Sequence, residues 1–171
     1  MAALLERLGR DGLLKRGVTP EPESAPRPGP PHLELLTLCE RGLLDGGLSV
    51  ALGVRPDELI GPLCQAIGGS ATRLRVVDVR DGPVLELRIR YGEVEEPWEV
   101  EDLLALVHNL NDLFAGDPKA RAVAVLGEWE DALQLWCVHK RDLPKLWRAD
   151  YFAPRNRQEL ARLLAVAGQG R

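Results

Sequence analysis

The segment Glu128 to Lys140, EWEDALQLWCVHK, brings a thiol, an imidazole and three carboxylates into thirteen residues. Cys137 and His139 are the residue types of a thiolate nucleophile and its base, and Glu128, Glu130 and Asp131 are the types of a general acid or an orienting group. Such chemistry needs thiol and ring within hydrogen-bond reach, a third group that fixes the base, and donors for an oxyanion. If the segment is a strand, alternation puts Leu133, Leu135, Cys137 and His139 on one face and Ala132, Gln134, Trp136 and Val138 on the other. Two residues of strand then separate the Cys137 and His139 Cα atoms by about 6.5–7 Å, twice the rise of about 3.3 Å. The carboxylates fall in the preceding turn, where water solvates them. The segment reads as the wall of a core that ends at a strand-end histidine, and no catalytic residue is assigned.

Metal and phosphate chemistry are equally unsupported. His32, His108 and His139 lie on three different elements, with no HxxxH or ExxH spacing. His108 and Asp112 are one helical turn apart, a spacing that an ordinary surface pair also has. Neither GxxxxGK[ST] nor GxGxxG occurs. No metal site and no cofactor is therefore expected. Cys39, Cys64 and Cys137 are odd in number and lack CxxC spacing, which predicts buried, reduced thiols.

The elements that would position these side chains follow from hydrophobic periodicity. Residues 1–16 have leucines at 4, 5, 8 and 13, an amphipathic helical pattern weakened by Gly9 and Gly12. Residues 17–31, GVTPEPESAPRPGPP, hold six prolines and read as an extended, flexible linker, which makes the first helix a tethered one. From residue 32 a single α+β domain is expected. His32–Leu44 reads as a buried helix stopped by Gly46 and Gly47, and Pro56–Ile67 as a second one stopped by Gly68 and Gly69. Arg73–Arg80 and Pro83–Tyr91 form a hairpin about Asp81–Gly82. Pro97 is read as the first residue of a helix reaching Ala115, with the acids at 95, 96, 99, 101 and 102 at the positive end of its dipole. The apolar run AVAVLGEW and Ala132–Lys140 form a second hairpin, followed by a short helix Asp142–Asp150 and a last one opened by the capping pair Asn156 and Glu159. This order predicts one antiparallel sheet of about four strands backed by helices.

Residues 32–91 have the element order of a winged helix, with Arg73, Arg75, Arg88 and Arg90 as the candidate nucleic-acid-binding residues. Against this, the helix that would enter a groove begins with Asp57 and Glu58 and offers no Lys or Arg before Arg73, whereas phosphate contact needs cations. A nucleic-acid-associated regulator is thus the alternative reading. Charge is segregated along the chain: residues 92–139 hold 2 basic against 11 acidic side chains, a net −9, and residues 140–171 hold 8 against 3, a net +5. Two copies could set these segments against each other twice over, so a homodimer is expected.

The segment LLALVHNLNDLF followed by AVAVLGEWEDALQLWCV, within about residues 103–138, resembles the long helix and following strand pair of the YbjN and type III secretion chaperone-like proteins. That resemblance implies a small, often dimeric, non-enzymatic domain that binds other proteins. Trp98, Trp129 and Trp147, expected at the surface, are the candidate contact residues for a protein partner. No apolar run reaches the roughly 18 residues of a membrane span, and the charged amino terminus lacks the apolar core of a signal peptide. The expected setting is cytoplasmic, with no membrane contact.

Overall fold

Strand β6, Ala132–Val138, is buried on both faces, and the rest of the fold is arranged around it. In the computed structural model, which describes residues 2–17, 31–147, 152 and 154–168, β6 lies between β1, Gly47–Ala51, and β5, Ala122–Trp129, in an antiparallel sheet of order β1-β6-β5. The alternation read from the sequence holds. Leu133, Leu135 and Cys137 enter one core cluster, and Trp136 and Val138 enter another on the opposite face.

The first cluster also takes in α3, Pro56–Ile67, α4, Leu103–Leu113, and a second antiparallel sheet formed by β2, Arg75–Arg80, β3, Leu85–Tyr91, and β4, Val94–Val100. The α+β class is as expected, but the strands form two three-stranded sheets where one sheet of four was predicted. Two strands account for the difference. β1 is only five residues long and opens at a glycine, so it carries little pattern. β4 contains Pro97, at the position where the sequence predicts a helix start. Proline is tolerated in a strand at a sheet edge, where its missing N–H breaks no ladder, and β4 is such an edge. The helix begins six residues later, where the Asp102 carboxylate accepts the backbone N–H of Ala105 at 2.8 Å. Glu95, Glu96 and Glu99 therefore belong to β4 and do not act on the helix dipole.

The winged-helix order of residues 32–91 is divided between the two sheets: β1 pairs with β6, whereas the β2–β3 hairpin continues into β4. Helix α2, Pro31–Glu40, stops before a turn at Gly42, earlier than predicted, and Leu43 and Leu44 run extended. Gly46 then enters β1 at φ 80°, its carbonyl accepting the Cys137 N–H at 2.9 Å. A Cβ there would sit 2.2 Å from the Cys137 carbonyl oxygen, so only glycine lets the chain approach β6 this closely.

The second cluster lies under α2, α5, Leu143–Trp147, and α6, Pro154–Gly168. Helix α1, Ala2–Arg10, docks there through Leu4 and Leu8, followed by Leu13. An antiparallel bridge between Leu14 and Leu44 fixes its exit. Residues 18–30, nearly all of the predicted linker, lie outside the described residues, as do residues 148–150 of the predicted short helix and the side chain of the predicted cap Asn156.

Asn111 of α4 reaches β5 through the protein interior. Its Oδ1 accepts the Val123 N–H at 2.8 Å and its Nδ2 donates to the Val123 carbonyl at 3.0 Å. One side-chain amide thus takes the place of a neighbouring strand on the outer edge of β5. At the other end of β5 the hairpin turns through Glu130 and Asp131, with φ 47° and 61°. Two positive φ values in a two-residue loop define a type I′ turn, in which glycine is preferred at the second position. Asp131→Gly is expected to stabilise the protein by about 0.5–1 kcal/mol, read as a higher denaturant midpoint with unchanged m-value.

Candidate functional site

The hairpin strand that carries the chemistry-bearing residues holds them apart. Cys137 is 1% exposed, and burial pushes its thiol up to about 12, with Arg121 opposing the shift. His139 is exposed beyond the end of the strand. Burial likewise raises Cys39 and Cys64 to about 11. All three thiols are free, buried and protonated at neutral pH, the opposite of an activated nucleophile. Because each folded-state value lies above the ordinary 9.0, the unfolded chain ionises first as pH rises. Stability from these groups is complete below that value and is lost through about 11 for Cys39 and Cys64 and about 12 for Cys137. Urea midpoints are expected to fall steeply in this window and less steeply in Cys137→Ala.

The candidate protein-contact tryptophans do not share a surface. Trp98 is 8% exposed, because it lies on the inward face of β4 instead of at a helix start, and its Nε1 donates to Glu96 at 2.7 Å. Trp129 is half-buried against the second cluster, on the other side of the β1-β6-β5 sheet. Trp147 is 39% exposed, with the Arg157 guanidinium 5.2 Å from its ring centroid.

The candidate nucleic-acid arginines come together on the outer face of β2-β3-β4, but in mixed company. Register places Arg75, Arg80, Arg88 and Arg90 there beside Asp78, Glu86, Glu95 and Glu99. Arg90 pairs with Glu95, and Arg80 with Asp78 at 3.2 Å. Arg73 instead lies over the Tyr91 ring, 5.7 Å from its centroid. Four cations interleaved with four anions form a solvated face without a basic stripe.

Described members of the basic carboxy-terminal segment are engaged within their own chain. Arg162 of α6 pairs with Asp112 of α4 at 3.0 Å, and Glu159 meets His108 at 2.8 Å. Lys140 Nζ donates to the carbonyls of Phe114, Ala115 and Asp117, which close the end of α4. Burial lowers its pKa, and the neighbouring Asp117 opposes that shift. Asp117 itself accepts the Ser70 hydroxyl and the Ser70 and Lys119 N–H groups, contacts that hold its carboxyl far below the ordinary range. These contacts fasten helix ends and loops to one another.

A groove at the open end of the first cluster was not anticipated from the sequence. It encloses about 510 Å³, within the range of roughly 300–1,000 Å³ typical of ligand sites. Leu133 and Val125 from β6 and β5 contribute apolar surface, as do Leu52 and Val54 after β1 and Leu103 and Leu104 at the start of α4. Leu52 is 47% exposed, held where the chain turns from β1 to α3 by a bond from its N–H to the Asp131 carbonyl at 3.0 Å. The polar lining is acidic: Glu101, Asp102, Glu128 and Glu159, with no lysine or arginine among the described residues. Glu128 belongs to β5 and lines this groove, not the turn where its sequence neighbours Glu130 and Asp131 lie, and nothing in the loop ALGVRP marks Leu52 for exposure. Among the described residues, no group of three or more His, Cys, Asp or Glu is placed to hold a metal, and no helix is long and apolar enough to cross a membrane.

No family model matches the chain, and no curated protein or solved structure matches it significantly.

Proposed function

We propose that the chain is a non-enzymatic protein-binding domain, chaperone-like or adaptor in kind, and that it makes its contact through the acid-rimmed groove. The observation that carries this reading is Leu52, a large apolar side chain held exposed by a backbone hydrogen bond beside further apolar surface from β5, β6 and α4. Apolar surface gathered into a concavity is a contact site in waiting, unlike leucines scattered singly. Three protonated, buried thiols support a reducing, cytoplasmic setting. The resemblance of residues 103–138 to secretion chaperone-like proteins points the same way. A homodimer has weaker support than the sequence offered. Asn111 caps the outer edge of β5, Pro97 interrupts the β4 edge, and Arg162 and Asp112 pair within one chain.

The test is capture from host extract on the immobilised full chain and on Leu52→Ser, followed by reconstitution from purified components. A partner held by the parent, lost from the variant and rebound at defined stoichiometry supports the reading. Identical proteins retained on both columns would remove the groove from it.

A further inference from the structure

Resting on the protein-binding reading above, we infer that the groove takes a cationic amphipathic segment of a partner protein, with apolar side chains against Leu52 and Leu104 and lysines or arginines against Glu101 and Glu128. Charge complementarity singles out this occupant. Among the described residues the lining holds four carboxylates and no cation. Two of the four have work inside the fold, since Asp102 caps α4 and Glu159 meets His108. Glu101 and Glu128 do not: both are exposed, and neither has a cationic partner among the described residues. They come from different elements, one preceding α4 and the other at the end of β5, so the fold brings like charges to a shared apolar groove. An acidic occupant would add to that repulsion, and a neutral one would leave it in place. A cationic occupant relieves it. The mixed face of β2-β3-β4, where arginines and carboxylates alternate, offers no comparable preference.

The experiment titrates the full chain with three short peptides of one amphipathic pattern, leucine with lysine, leucine with glutamate and leucine with serine, followed by fluorescence anisotropy. The lysine peptide is expected to bind at least tenfold more tightly than the glutamate peptide, and to weaken with salt. Glu101→Gln with Glu128→Gln should weaken it about threefold to tenfold without shifting Tm, since exposed ion pairs each contribute little. Leu52→Ser should weaken the lysine and serine peptides alike. Equal binding of lysine and glutamate peptides, or indifference to the double neutralisation, overturns the charge preference. A Leu52→Ser effect persisting in that case leaves the protein-binding reading intact. If Leu52→Ser changes no binding curve, both fall. Sedimentation of the chain alone completes the test: a dimer abolished by Leu52→Ser makes a second copy the occupant and overturns the inference.

Discussion

Leu135→Asp is expected to leave no cooperatively folded protein at 25 °C. Leu135 is 1% exposed at the centre of β6, between Leu48 on β1 and Val125 on β5, and its carbonyl accepts the Cys39 thiol at 3.3 Å. The substitution forfeits about 1.5–3 kcal/mol of leucine burial. It also leaves a carboxyl with no cation among the described residues of the first cluster, which must stay protonated at neutral pH, at a cost of about 4 kcal/mol, the work of protonating at pH 7 a group that ordinarily titrates at about 3.9. The sum is comparable to the whole stability of an ordinary domain, about 5–15 kcal/mol. Leu135→Met, which conserves volume, should cost under about 1.5 kcal/mol. Circular dichroism melts distinguish the outcomes. An aspartate variant that melts within a few degrees of the parent would place β6 in another register.

Asn111→Ala is the second large effect, and it comes from a polar group. The substitution strands the N–H and carbonyl of Val123, a residue with no solvent exposure, and each unsatisfied buried group costs about 1–3 kcal/mol. A loss of roughly 2–4 kcal/mol is expected, or about 5–15 °C in Tm for a chain of this size. Asn111→Asp keeps the acceptor for the N–H but sets a carboxylate against the Val123 carbonyl, so it should be at least as destabilised at neutral pH. Amide exchange at Val123 should quicken in both variants. Unchanged exchange there would mean that another group supports the edge of β5.

The contrast between these two residues shows what was legible in the sequence. Leu135 sits in an unbroken two-residue alternation that names its face without reference to anything distant, and Asp81–Gly82 likewise marks the β2–β3 hairpin locally. Asn111 stands among helix residues with nothing in its own neighbourhood to say that it addresses β5. Pro97 misled for a related reason. Proline suits both a first helical turn and an edge strand, and what decides is the pairing of Pro97 on β4 with Arg88 on β3, nine residues back across the turn at Gly92. Segregated charge was visible, but the ion pair of Arg162 with Asp112 closes within one chain, which composition does not distinguish from closure between two. The groove was the least legible feature. Leu52, Glu101, Glu128 and Glu159 come from four separate segments, and only the meeting of β1, α4, β5 and α6 puts them side by side.

The measurement closest to the central claim is a methyl-resolved NMR titration of the full chain with the leucine–lysine peptide. Saturable shifts confined to the methyls of Leu52, Val54, Leu103, Leu104, Val125 and Leu133, absent in Leu52→Ser, are the expected result. Shifts centred instead on the exposed valines of β2, Val77 and Val79, or spread evenly over the surface, would contradict it.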